Sequence, residues 1–430
     1  MNRVFVSFPI TDFNKAKLQV LYWAARFNTC CFLDNHGYDS TGHVYECLLG
    51  AGEFKSIKAN AGRAFGQLKQ FADDANDWLF GHFGFDLKNE TESLSSSHPD
   101  YIQFPDLFFF IPEVIVELDK HTINIGIAGT NHAQVFKQIQ EVQPMPASRE
   151  NKVVEISSRF SRKEYIETVK RLQRHILYGD CYEINFCQEF YAENIRLEPI
   201  ETYCRLSDIS PMPFGSFYKV NNKYLLCASP ERYLKKSNNA LMSQPIKGTW
   251  ARNNNDKQLD NDYKEELFSS AKDRSENVMV VDLVRNDLAK ICKEGTVQVN
   301  ELYGIYTFPQ LHQMVSTISG SVDQQKHWVD IIEATFPMGS MTGAPKIRVL
   351  ELIERYEKSR RGLFSGALGY VSPNRDFDFN VVIRSMLYNQ HSGYLSYQVG
   401  SGITFYSDAE KEYDECLLKA DAIKKVLTEG

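Results

Sequence analysis

The chain predicts an α+β fold built on large sheets, and two observations carry that reading. Strand-like segments come in runs separated by long amphipathic helices, without the regular strand–helix–strand alternation of a parallel sheet. The 430 residues are 43% apolar and 13% aromatic, enough to fill a core between broad layers. Length alone suggests two or three domains, or one large one.

The elements follow in order. Residues 17–27 read as a helix and 29–33 as a short apolar strand. The polar stretch 88–106, rich in Ser, Asn and Glu, reads as a surface loop. Segments 108–111, 114–118 and 122–128 then read as consecutive strands with short turns. Residues 143–158, with two prolines and mixed charge, form the best boundary, dividing an N-terminal region 1–150 from a second domain 151–430. That domain opens on a helix at 161–178. Ser161 and Glu164 make a capping box, and Ile166, Val169, Leu172, Ile176 and Leu177 its apolar face. An extended run at 181–190 follows, then strands at 216–220 and 224–228 and a long helix at 263–288. Strands near 313–319, 367–371, 381–388 and 394–399 precede a closing helix at 409–427.

Charge and cysteine usage exclude several function classes. A net charge of -7 leaves no basic excess for a nucleic-acid backbone. An anionic ligand must therefore meet local cations. The nine cysteines contain no CxxC, and an odd count without a secretory leader favours reduced thiols in the cytoplasm. No run of 18 apolar residues marks a membrane span. The expected partners include neither nucleic acid nor membrane.

Several constellations carry chemistry. Lys247 lies in Gln244-Pro245-Ile246-Lys247-Gly248-Thr249, stiffened by proline and freed by glycine. In a dry pocket its amine can lose a proton near neutral pH and act as a nucleophile. Asp273 and Glu276 share one helix face, as do Glu412 and Glu415. Two such faces opposed make a hard oxygen site suited to Mg²⁺, whereas either alone reads as a solvated surface. Lys419, four residues after Glu415, reads equally as a simple helix ion pair. The glycines of Val399-Gly400-Ser401-Gly402-Ile403 let backbone N–H groups approach an anion. The Gly/Pro loop 336–346 ends in Lys346 but lacks the Gly-Lys-Ser/Thr ending of a nucleotide loop. Glu231 ends a strand as a candidate general acid, and 281–287 reads as architectural. Arg384, among Val381, Val382, Ile383 and Met386, needs an anion from the protein or from a ligand.

Taken together, Ser229-Pro230-Glu231, Pro245 to Thr249, Val281 to Asp287, Gly343 to Lys346 and Gly400 to Ile403 resemble the chorismate-utilising enzymes over residues 161–427. Residues 1–150 are more loosely similar to the N-terminal region of the two aminating branches, best at Gly81 to Asp86. The resemblance implies large antiparallel sheets forming a sandwich flanked by helices. It implies Mg²⁺-dependent replacement or movement of the C4 hydroxyl of chorismate. Glu276 and Glu415 would be the direct metal ligands, with Asp273 and Glu412 close by through water. The metal would hold the ring carboxylate, assisted by Gly400, Ser401, Gly402 and Lys419. Arg384 would take the enolpyruvyl carboxylate, and Gly248, Thr249 and Lys346 would complete the substrate-binding set.

Position 247 separates the branches. The anthranilate-forming branch resembles this chain but typically has alanine there, whereas the aminodeoxychorismate-forming branch has lysine, as here. The separation of Glu231 and Lys247 by sixteen residues is similar to the latter. In that branch the Lys247 amine would attack ring C2 as the C4 hydroxyl leaves, protonated by Glu231. Ammonia would then attack C4 and expel the lysine, giving 4-amino-4-deoxychorismate on the route to 4-aminobenzoate and folate. The water-adding branches use another lysine, whose position is Glu183 here. Gln313 stands where a histidine is frequent, beside His312, and Phe364 where the anthranilate branch has tyrosine. With no Gly-x-Cys-x-Gly element, the resemblance implies ammonia from a separate glutamine amidotransferase subunit. The chain leaves no room for a fused lyase, and no Leu-Leu-Glu-Ser motif predicts feedback control. Two other readings stand beside this one: anthranilate formation with pyruvate elimination, and a non-catalytic chorismate-binding subunit.

Overall fold

Two large sheets, of 12 and 10 strands, dominate the structure, a computed structural model that describes residues 3–38, 42–144, 153–309 and 311–428. The strand pairs of both sheets run antiparallel. Local chemistry favours this. Phe214–Val220 returns as Lys223–Ser229 through Asn221 at φ 55, and Arg232–Ser237 returns as Ala240–Gln244 through Asn238 at φ 53. Asparagine tolerates the left-handed conformation that a tight hairpin requires.

Both sheets draw strands from either side of the expected boundary near 150. Thr29–Asp34 pairs with Phe214–Val220 in the larger sheet, and Leu79–Phe83 pairs with Ala367–Val371 in the smaller. The expected division between residues 150 and 151 lies outside the described residues.

One apolar cluster includes the sheet residues Phe80, Phe83, Phe109, Phe110 and Phe379 together with Trp328 of the helix Trp328–Thr335. Phe83 meets Phe109 at 4.9 Å and Phe379 at 5.3 Å between ring centroids. A second cluster joins the larger sheet to the helices Arg162–Leu177, Pro199–Ile209, Lys346–Tyr356 and Ala409–Thr428. The capping box at Ser161 and Glu164 is formed in both directions. No helix among the described residues is long and apolar enough to cross a membrane.

Two segments differ from the sequence expectation. The helix expected at 263–288 is two helices, Lys257–Ser269 and Ala271–Ala289, broken at Ser270. Ser270 adopts an extended conformation and its side chain accepts from the Asp273 N–H, the habit of a serine that caps rather than continues a helix. The strand expected at 381–388 is also two, Phe377–Val381 in the smaller sheet and Ser385–Asn389 in the larger. The intervening residues carry the chain between layers, with Arg384 at φ 50.

Truncating Phe379 to alanine should lower stability by about 3–5 kcal/mol, because its neighbours cannot fully collapse into the space. Ser161→Ala should cost only about 1 kcal/mol through loss of the cap. Urea denaturation followed by tryptophan fluorescence checks both the direction and the order.

Candidate active site

The site is built where the chain twice changes sheets. It leaves the larger sheet after Ser229 and enters the smaller one at Arg232, with Pro230 and Glu231 in the crossing. It crosses back between Val381 and Ser385, with Arg384 at the bend. The crossings are tied to each other. The Val381 N–H donates to Glu231 O at 3.0 Å, the Ala228 N–H to Arg384 O at 3.2 Å, and Ser229 Oγ to Val381 O at 2.6 Å. Glu231 and Arg384 thereby line one cavity.

Lys247 enters the same cavity through a bulge. The strand Ile246–Ala251 pairs with Leu311–Ser321, and its register shifts between Ile246 and Thr249. A bulge kinks a strand and re-aims its side chains. Gly248, at φ 88, packs so closely that a Cβ would stand 3.0 Å from Asp273 Oδ1 and from Leu267 Cδ1. Lys247 Nζ donates to Glu183 Oε1 at 2.6 Å, and the two side chains are 10% and 2% exposed. Burial opposes the lysine charge, but Glu183 and Glu276 outweigh it and hold the amine above the usual lysine range. The sequence expectation considered only dryness. The pocket is dry but acidic, so its resting lysine is an ammonium.

The acidic helices meet beside this lysine. Glu276 on Ala271–Ala289 and Glu415 on Ala409–Thr428 line the cavity. Lys272 reaches between them, 2.8 Å from Glu412 Oε1 and 3.7 Å from both Glu276 Oε1 and Glu415 Oε2. Lys419 donates to Gly400 O at 2.9 Å and pairs with Glu415 Oε1 at 2.8 Å. Burial pushes Glu276 up to about 8 despite Lys247 and Lys272. Burial also opposes ionisation of Glu415, but Lys419 and Lys272 bring it down to about 2. Among the described residues no three acidic, imidazole or thiol groups close into a metal cage, and Lys272 stands in the space between the carboxylates. Glu276 Oε1 and Glu412 Oε2 are nevertheless buried without a hydrogen bond.

Glu231 is 3% exposed, and burial pushes its carboxyl up to about 7, moderated by Ser340 and Lys247. Burial brings Arg384 down to about 10, still a cation at neutral pH. Arg384 forms no ion pair among the described residues, and Glu231 is the carboxyl whose charge bears on it. Lys247, Arg384 and Lys419 thus give the cavity wall three cationic side chains, beside a Glu231 carboxyl pushed up to about 7.

Of the remaining sequence-predicted residues, Gly248, Thr249, Gly400 and Gly402 line the cavity. A Cβ at Gly402 would stand 2.7 Å from Lys247 Nζ and 2.9 Å from Glu183 Oε1, so the absence of a side chain makes room for that ion pair. Ser401 alternates away and hydrogen-bonds the Tyr165 hydroxyl at 3.2 Å. Lys346 is not brought to the cavity wall; Asp287 holds its ammonium at 2.8 Å. Asp273 accepts from the hydroxyl of the helix cap Ser270 and lies against Gly248, and Glu412 stands beside Lys272. Gln313 lines the cavity and its Nε2 donates to Thr249 Oγ1 at 3.4 Å, whereas His312 turns away to Asp260 at 2.8 Å. Phe364 is also in the wall. The sequence reading missed Lys272, whose signal was its place four residues before Glu276. Asn185 and Gln398, on two paired strands of the larger sheet, were missed as well.

The chorismate binding enzyme family matches residues 28–425. Aminodeoxychorismate synthase component 1 of Escherichia coli (strain K12) is 34% identical over 350 residues, covering 81% of this chain and 76% of that protein. The protein of the same name from Bacillus subtilis (strain 168) is 28% identical over 388 residues, 87% of this chain and 80% of its own. Anthranilate synthase component 1 of Thermus thermophilus is 31% identical over 359 residues, with 81% and 77% covered. In fold, the chain is similar to anthranilate synthase component I from Streptococcus pneumoniae TIGR4, with a TM-score of 0.76 at 24% identity over 88% of this chain and 91% of that one. It is equally similar to MenF, the menaquinone-specific isochorismate synthase from Escherichia coli, with a TM-score of 0.76 at 16% identity over 99% and 95%. The match over residues 28–425, together with relatives more than 30% identical over most of its length, makes this chain a member of the chorismate binding enzymes.

Proposed function

We propose that the chain aminates chorismate at C4 with ammonia, forming 4-amino-4-deoxychorismate for 4-aminobenzoate and folate synthesis. The observation that carries this reading is Lys247, presented by a strand bulge into the cavity that Glu231 and Arg384 also line. The relatives named aminodeoxychorismate synthase component 1 support it.

Arg384 and Lys419 meet the substrate's negative charge. The Lys247 amine attacks ring C2, the ring double bonds shift, and the C4–O bond breaks while Glu231 protonates the departing oxygen as water. Ammonia then attacks C4 and the bond from C2 to Lys247 breaks, freeing the lysine. Glu231, buried and near neutral pKa, suits the acid role because it carries a proton at the working pH. Ammonia would come from a separate glutamine amidotransferase subunit, in the cytoplasm.

The acidic end of the cavity has donors for Mg²⁺. Glu276 and Glu415 would hold it with Asp273 and Glu412 nearby, and the buried oxygens of Glu276 and Glu412 that lack hydrogen bonds fit a cation. When bound, Mg²⁺ supplies positive charge for the ring carboxylate. Lys272 is the tethered cation already among these groups and must yield its contacts to a metal.

Incubation with chorismate, Mg²⁺ and an ammonium salt should give 4-amino-4-deoxychorismate, read as 4-aminobenzoate after adding a lyase. Anthranilate with pyruvate release would sink the reading. Lys247→Ala should lose at least about 100-fold of C4 amination, roughly 2.7 kcal/mol of barrier.

The pH dependence has a definite sign. Glu231 must be protonated to act, so kcat should fall as pH rises through about 7. Rate measurements from pH 6 to 9 check this, and an unchanged kcat across that range would remove Glu231 from the acid role.

Mn²⁺ binding followed by electron paramagnetic resonance tests the metal site without turnover. Combined Glu276→Gln and Glu415→Gln should abolish binding. Lys272→Met should tighten it by at least about threefold, since one competing ammonium is gone.

A further inference from the structure

Glu183 is a buried carboxylate that the proposed reaction does not yet use. It begins the strand Glu183–Ala192 and pairs in register with Ala344, while Asn185 of the same strand pairs with Gly402. Its side chain is 2% exposed. Oε1 accepts from Lys247 Nζ at 2.6 Å, and Oε2 is buried without a hydrogen-bond partner. Lys247 lines the cavity, whereas Glu183 does not, so the carboxylate supports the ammonium from outside the substrate's space. A purely structural carboxylate would normally satisfy both oxygens when so deeply buried. This one spends its single strong contact on the nitrogen that must lose a proton before it can attack.

We propose that Glu183 is the proton acceptor that converts the Lys247 ammonium to the free amine and returns that proton when the lysine is released. The proposal rests on the reading of Lys247 as the nucleophile. Other charged groups also bear on Lys247: Glu276 on Ala271–Ala289, Glu415 and Lys419 on Ala409–Thr428, and Glu231 at the sheet crossing. Among the described residues, Glu183 is the carboxylate in ion-pair contact with it.

The balance closes. The Nζ–H bond breaks and an Oε1–H bond forms, leaving Glu183 neutral and Nζ with a lone pair. That pair forms the bond to C2, the C4–O bond breaks, and Glu231 gives its proton to the departing oxygen. The lysine nitrogen is now a secondary ammonium bound to the ring. Ammonia attacks C4, the C2–Nζ bond breaks, and its electron pair returns to Nζ. The freed amine takes back the proton from Glu183, and Glu231 takes one from the new C4 ammonium. The sum is chorismate and ammonia in, aminated product and water out. Glu183 acts through Lys247 and is therefore a positioning and proton-holding residue.

The test compares Glu183→Gln and Glu183→Asp with the unaltered chain. Gln keeps a hydrogen-bond acceptor for the ammonium but cannot hold its proton. Its kcat should fall by at least about 100-fold, the scale of a lost general base, while KM for chorismate stays within about threefold. Asp keeps a carboxylate and should recover at least about tenfold over Gln. A second readout is independent of amination. Incubated with chorismate without ammonia, the unaltered chain should gain the mass of chorismate less water on the Lys247 peptide, and Glu183→Gln should gain it far more slowly. Equal rates for the Gln and Asp variants, or equal rates of adduct formation in Glu183→Gln and the unaltered chain, overturn the proposal. If the unaltered chain forms no adduct and Lys247→Ala still aminates, the reading of Lys247 falls first and takes this inference with it.

Discussion

The site depends on a mutual constraint between two places where the chain changes sheets. Neither crossing is regular structure, so each has backbone groups that no ordinary ladder satisfies. Each meets that need at the other, through Val381 to Glu231 and Ala228 to Arg384. A buried backbone group without a partner is costly, so the crossings cannot drift apart without losing both bonds. Glu231 and Arg384 are therefore positioned by main-chain hydrogen bonding before any ligand arrives. This is a rigid way to hold an acid and a cation, since the precision belongs to the sheets.

The electrostatics follow a second constraint. Lys247, Lys272 and Lys419 are interleaved with Glu183, Glu276, Glu412 and Glu415. The buried members of this set, Lys247, Glu183, Glu276 and Glu412, are tolerable there because opposite charges stand beside them. The pairing has opposite effects on neighbouring groups: Glu415 is driven to ionise while burial favours the neutral form of Glu276. At Glu231 burial outweighs Ser340, Lys247 and Lys419 and pushes the carboxyl up to about 7. Carboxylates of one cavity are thus sorted by their immediate partners rather than by residue type.

Much of this was legible in the sequence because the motifs are local. The capping box at Ser161, the closing helix and the glycines at 400 and 402 are short-range signals, and the structure forms the helix and brings both glycines to the cavity. The break at Ser270 was missed because helical periodicity on both sides hides one residue that prefers to cap. The split at Arg384 was missed because apolar residues continue through the crossing, and a strand pattern does not record which sheet it joins. Lys346 illustrates the limit of motif reading: its partner Asp287 is far away in sequence. The ion pair between Lys247 and Glu183 is likewise a tertiary event.

The sharing of strands across position 150 has a consequence for how the molecule is made. Leu79–Phe83 leaves the ribosome well before its neighbour Ala367–Val371, with Gly81 opposite Gly369. At roughly 5–20 residues per second, that partner emerges tens of seconds later. During the interval the nascent N-terminal segment presents apolar, unpaired strand edges, the kind of surface that joins other chains. The same long-range pairing raises contact order and slows closure of the finished chain. The architecture that fixes Glu231 and Arg384 so firmly thus leaves the emerging polypeptide with an open apolar edge until the later strand is made.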